Sequence, residues 1–257
     1  MATVLITGAS GGIGLELARI FAKDGYDLVL TARSENKLFE IQKELNKDYG
    51  ARSYVFPCDL AEKDAALEVY EFTKSSGISV DVLVNNAGFG DCVDFAESDW
   101  QKQYDMVRLN VIALMQLTKV YLPEMKERKS GKILNVASVA SFAAGPGMSV
   151  YYASKAFVRS FSEAVAEEVR RCGVTVTALC PGPVRTGFEK AANLEGSKMF
   201  TLLHAADARK VALCGYRAMM KGRILKYYGV SAKAMSLAVR LFPRALARKV
   251  AKKVNEK

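Results

Sequence analysis

The chain has 257 residues, half of them apolar and a quarter charged, which suits one domain with a substantial core and excludes a disordered chain. No apolar run reaches the roughly 18 to 20 residues that a spanning helix needs, so no transmembrane helix is expected. The net charge of +10 is uneven: Arg217 to Lys257 carries 12 Lys or Arg against one acid, Glu256, for +11, leaving 25 bases and 26 acids, or −1, elsewhere.

In chain order, runs rich in Val, Ile and Leu predict strands at Thr3 to Thr7, Asp27 to Thr31, Ser53 to Pro57, Val80 to Asn85, Lys132 to Ala137, Val174 to Cys180 and Ile224 to Tyr228. Helical patterns fill the intervals. This alternation predicts an α/β fold, a doubly wound, mainly seven-stranded parallel sheet of the Rossmann-like kind. Residues 1–230 are expected to form the domain that carries this sheet. Residues 231–257 read as a basic, amphipathic extension of the same domain, two helices broken at Pro243. In such a sheet ligands bind beyond the C-terminal strand ends where strand order reverses, so the chemistry is sought just after strands.

Val4 to Ile6 run directly into Thr7-Gly8-Ala9-Ser10-Gly11-Gly12-Ile13-Gly14 with no basic region before them, so no secretory leader is expected. A glycine cluster can be only a tight turn. Between a first strand and a helix, however, Gly8, Ser10, Gly12, Ile13 and Gly14 would let backbone N–H groups approach a pyrophosphate. No Gly-Lys-Ser/Thr follows, which counts against a nucleoside triphosphatase. The second strand leads to Arg33, where an acid would hold the ribose of NAD and an arginine can pair with the 2′-phosphate of NADP, so NADP(H) is favoured over NAD(H). Against this, Arg33 can also be a solvated loop cation with Glu35 beside it.

Ser138 follows the fifth strand, and Tyr151 and Lys155, four apart, share a face of the next helix. A carbonyl accepting hydride needs a proton and a hydrogen-bond donor aimed at its oxygen. Tyr151 can give the proton, Ser138 can hold the oxygen, and Lys155 is expected to lower the tyrosine pKa. Singly, Tyr151 and Tyr152 could be ordinary helix aromatics and Ser138 a helix cap.

Together, the Gly8 to Gly14 turn, Asn85-Asn86-Ala87-Gly88, Asn110, Ser138, Tyr151-x3-Lys155 and Pro181-Gly182-Pro183-Val184-Arg185-Thr186 resemble the short-chain dehydrogenase/reductase family over all but the tail. The resemblance implies an NAD(P)-dependent oxidoreductase with a catalytic tetrad. In it Tyr151 is the acid/base, Ser138 orients substrate, Lys155 also holds the nicotinamide ribose, and Asn110 supports a relay water. It implies that Asp59 and Leu60 meet the adenine, that Asn86, Ala87 and Gly88 line the cofactor, and that Pro181, Gly182, Val184 and Thr186 lie beside the carboxamide. Position 11 is Gly where many NADP users carry a base. The Asn-Ala-Gly-Phe-Gly wording and the basic end resemble the branch with long-chain 3-oxoacyl and 17β-hydroxysteroid reductases. An NADP(H)-sensing binding protein with little turnover is the alternative.

Phe142, Met148, Phe188, Met199 and Phe200 suggest a small apolar carbonyl or alcohol as substrate. His204, the sole histidine, follows the expected substrate-covering segment. With one histidine and five scattered cysteines without a CxxC pair, no metal site is expected, and free thiols point to a cytoplasmic protein. In the tail, Leu246, Val250 and Val254 form a stripe between cations. It can pack on the body or contact a membrane surface or acidic partner weakly. No nucleic acid is expected, since no motif accompanies the charge. The family implies a homodimer or tetramer, and the basic tail, in place of a Gly-rich end, counts against the tetramer.

Overall fold

A computed structural model describes residues 1–196, 205–229, 232–234, 236 and 243–255. His204, Met199, Phe200 and most of the first expected tail helix lie outside the described residues. The described elements are β1 (Thr3–Thr7), α1 (Gly12–Lys23), β2 (Asp27–Ala32), α2 (Glu35–Tyr49), β3 (Ser53–Pro57), α3 (Ala65–Ser75), β4 (Val82–Asn85), α4 (Trp100–Val107), α5 (Leu114–Glu127), β5 (Gly131–Val136), α6 (Ser149–Glu168), β6 (Val174–Cys180), β7 (Val184–Arg185), α7 (Phe188–Ala191), β8 (Ala206–Asp207), α8 (Ala208–Met220), β9 (Leu225–Tyr227) and α9 (Arg244–Asn255).

The main sheet is wholly parallel, in the order β3-β2-β1-β4-β5-β6-β9. Its strands read as unbroken apolar runs because both faces are covered. On β1, Val4 and Ile6 pack with Leu17 and Phe21 of α1 and Val211 of α8. Leu5 points the other way, to a layer with Val69 of α3, Leu117 and Tyr121 of α5 and Val165 of α6. All seven expected strands are present: those at Thr3–Thr7, Ser53–Pro57 and Val174–Cys180 have the expected bounds, and the other four differ by one or two residues at one or both ends. The small β7–β8 pair was not expected: two residues per strand carry no periodicity.

Strand order reverses between β1 and β4, and the two strand ends are stitched together there. Thr7 Oγ1 accepts from the N–H groups of Asn86 (2.9 Å) and Ala87 (3.0 Å), while Asn86 Nδ2 donates to the carbonyls of Thr7 (2.9 Å) and Gly8 (3.2 Å). One strand over, a buried chain runs from Thr118 through Asn85 and Asn135 to Ser162, tying β4 and β5 to α5 and α6. The switch point is thus held by side chains as well as by the ladder.

Candidate active site

A cavity of about 1120 Å³ opens beyond these strand ends. That exceeds the roughly 300 to 1,000 Å³ usual for one small ligand, leaving room for a dinucleotide and a second molecule. Of the predicted site residues, only Gly14 and Asn110 are not in its lining.

At one end lies the glycine turn. Gly8 and Gly12 have φ of +66° and +56°, a region where a Cβ is costly. A Cβ on Gly12 would meet Thr186 at 2.9 Å, and one on Gly14 would strike the Gly8 carbonyl and Asn86 Nδ2. Gly14 therefore supports the turn from behind, letting α1 press against it. No side chain caps α1, so N–H groups of its first turn, beside Ser10, Gly12 and Ile13 in the lining, are available to an anion. A bare backbone cradle of this kind fits a pyrophosphate.

Arg33, Asp59 and Leu60 line the next part of the cavity. The Arg33 side chain is 77% exposed and 3.8 Å from the Asp59 carboxylate, a loose pairing that leaves the guanidinium able to turn to an anion. Lys37, from the first turns of α2, lines the cavity too. Sequence reasoning passed over it, although its spacing of four from Arg33 was a signal available for the asking.

At the other end sit Ser138, Tyr151 and Lys155. Ser138 leaves β5 in extended backbone, and its Oγ accepts from Ala140 N–H at 3.1 Å. Its hydroxyl also favours the ionised form of the Tyr151 phenol. The Tyr151 ring packs against Phe188 at 5.4 Å between centroids. One turn along α6, Lys155 is 5% exposed, donates to the Val136 carbonyl at 2.9 Å and lies 5.9 Å from the Tyr151 ring centroid. Burial pushes the Tyr151 phenol up to about 12, against a smaller opposing pull from Ser138. Burial also pushes the Lys155 ammonium down to about 8. The expected lowering of the tyrosine pKa is therefore reversed in direction, because desolvation of the phenol outweighs the opposing pull of Ser138. At neutral pH the phenol keeps its proton and the ammonium its charge.

Asn110 stands behind this group in a π-helical turn, Arg108–Ala113. Its Oδ1 accepts from Phe89 N–H at 3.1 Å, and its Nδ2 donates to the Phe89 carbonyl at 2.9 Å and to Ser154 Oγ at 3.0 Å. The side chain thereby fixes the loop after β4. A Cβ on Gly88 would meet Asn110 Oδ1 at 2.8 Å and Lys155 Nζ at 3.2 Å, which explains a glycine there. Ala87, Pro181, Gly182 and Val184 complete the wall between the two ends.

The tail enters the site as well. Leu246, Ala247, Val250, Ala251 and Val254 of α9 line the cavity, so its stripe faces the body.

The family model described as short chain dehydrogenase matches residues 2–196. A diacetyl reductase [(S)-acetoin forming] of Staphylococcus epidermidis is 31% identical over 207 residues, 80% of this chain and 80% of that protein. A very-long-chain 3-oxoacyl-CoA reductase of Laccaria bicolor is 35% identical over 180 residues, 69% of this chain and about half (53%) of its own length. Among solved structures, a short-chain dehydrogenase from Sphingobium yanoikuyae in complex with NADPH superposes with a TM-score of 0.84 at 28% identity, covering 94% of this chain and 93% of that one.

Proposed function

The chain belongs to the short-chain dehydrogenase family, and from that premise we propose that it reduces apolar ketones with NADPH. The observation that carries the reading is the meeting, in one cavity, of the glycine cradle with Ser138, Tyr151 and Lys155.

The nicotinamide, when bound, supplies the hydride. Ser138 and Tyr151 both present hydroxyls to the carbonyl oxygen, and because burial keeps the phenol protonated, Tyr151 is the group that can give it a proton. Lys155, charged at neutral pH, opposes the negative charge left on the phenol oxygen. Asn110 holds the loop carrying Gly88 and Phe89, and so fixes the wall against which the nicotinamide end would lie. Arg33 and Lys37 support NADPH over NADH, since two cations beside the single carboxylate of Asp59 leave positive charge for a 2′-phosphate. Phe188, Met148 and the α9 stripe support an apolar substrate, and relatives named for ketone and 3-oxoacyl substrates are consistent with that choice.

The test is NADPH oxidation by the purified protein against 3-oxoacyl thioesters, steroid ketones, aromatic ketones and diketones, with NADH in parallel. Tyr151→Phe should lower turnover by about 10² to 10⁴ while sparing NADPH affinity. Unchanged turnover in that variant would remove the tyrosine from the mechanism.

A further inference from the structure

We propose that α9 forms a subsite for an unbranched apolar chain of the substrate, and that Asn255 is the positioning residue that latches it. The inference rests on the ketone reduction proposed above and names the part of the substrate the fold would grip.

A twelve-residue helix rich in Arg and Lys has little stability of its own in water, so its position must come from tertiary bonds. Those bonds converge on its last described residue. Asn255, 3% exposed, donates from Nδ2 to the Pro146 carbonyl at 2.9 Å and accepts at Oδ1 from the Tyr152 hydroxyl at 3.1 Å. Its main-chain carbonyl accepts from Cys92 Sγ at 3.5 Å. One turn earlier, Ala251 packs in a small apolar cluster with Met148, Tyr152 and Leu194. The far end of α9 is thus pinned to the segment leading into α6, and Tyr152 is the chain neighbour of Tyr151.

The near end is different. Leu246 and Val250 line the cavity, yet they are 47% and 55% exposed. Arg244, Arg248, Lys249, Lys252 and Lys253 are exposed on the remaining circumference. A large apolar side chain on a helix otherwise faced with cations gains nothing from water, and these two border the cavity that holds Tyr151. A flexible apolar chain, extending from a carbonyl at Tyr151, would cover them. A polyol would leave them wet. Continuity with the Tyr151 cavity therefore selects the substrate's own chain as the occupant.

The experiment uses unbranched methyl ketones of four to twelve carbons, read by calorimetric binding to the NADP⁺-loaded protein and by NADPH oxidation. Affinity of the wild-type protein should rise roughly fourfold per added methylene over the length that α9 covers. In Leu246→Ser/Val250→Ser, both positions being solvent-accessible, and in Asn255→Ala, that rise should flatten to below about twofold per methylene, with NADP⁺ affinity unchanged. A wild-type series without the rise, or variants that keep it, would overturn the inference. Variants that keep the rise but lose binding to phosphatidylglycerol vesicles would assign the stripe to a bilayer surface instead. Chain-length-dependent binding without any NADPH oxidation would refute the proposed reduction and leave the subsite standing.

Discussion

Lys155 should cost the fold stability that the reaction requires, and replacing it makes the cost measurable. Its fall from 10.5 to about 8 corresponds to about 3 kcal/mol against the buried charge at 1.36 kcal/mol per tenfold. Methionine fills similar length without a charge, but Lys155→Met deletes the bond to the Val136 carbonyl, a loss of about 1 to 2 kcal/mol. The variant should therefore be the more stable protein at pH 7, by about 1 to 2 kcal/mol, with Tm raised by about 3 to 6 °C and turnover lost. Between pH 8 and 10.5 the unfolded chain holds a proton on this lysine that the folded chain has released, so wild-type stability gains on the variant as pH rises. The variant's advantage is full below pH 8 and closes toward pH 10.5. Urea unfolding of both proteins at pH 7 and pH 10 reads the difference. A variant less stable at pH 7, or a gap indifferent to pH, would refute the desolvation argument.

Further outcomes follow from the same site. Ketone reduction, followed as kcat/KM, should be level from pH 6 to about 7.5 and fall above about 8 as Lys155 loses its charge, with no earlier limb from Tyr151; a level profile to pH 10 would count against the lysine's role. Gly14→Ala drives a methyl into the Gly8 carbonyl and Asn86, and should cost about 1 to 3 kcal/mol in unfolding measurements and weaken cofactor binding by calorimetry. Arg33→Asp combined with Lys37→Ala should move the NADPH/NADH ratio of kcat/KM toward NADH by at least about tenfold, whereas an unmoved ratio would place the 2′-phosphate elsewhere.

The parts of this molecule that were legible in the sequence are those set by local spacing. Strands buried on both faces announce themselves as apolar runs, and Tyr151 and Lys155 fall on one face because a helix repeats every 3.6 residues. The glycine turn is legible because positive φ and close approach admit no side chain at Gly8 or Gly12. What the sequence withheld depends on distant neighbours. The direction of the Tyr151 pKa follows from burial by Phe188 and the surrounding wall, where sequence alone shows only a nearby lysine. Lys37 acquires a role only once α2 is set beside the end of β2. The stripe of Leu246, Val250 and Val254 was visible as a pattern, but its destination was fixed by Asn255, a residue whose three partners lie more than a hundred positions away.

The stitch between Thr7 and Asn86 carries a thermodynamic consequence. It joins residues nearly eighty positions apart, so the chain must close a long loop before the glycine cradle exists, and the nucleotide can bind only the finished sheet. Nucleotide and fold are then linked by mass action: a dinucleotide at a hundredfold excess over its Kd would add about 2.7 kcal/mol to unfolding. Thermal stability that climbs with nucleotide concentration would report, without any turnover, that the two halves of the sheet have docked.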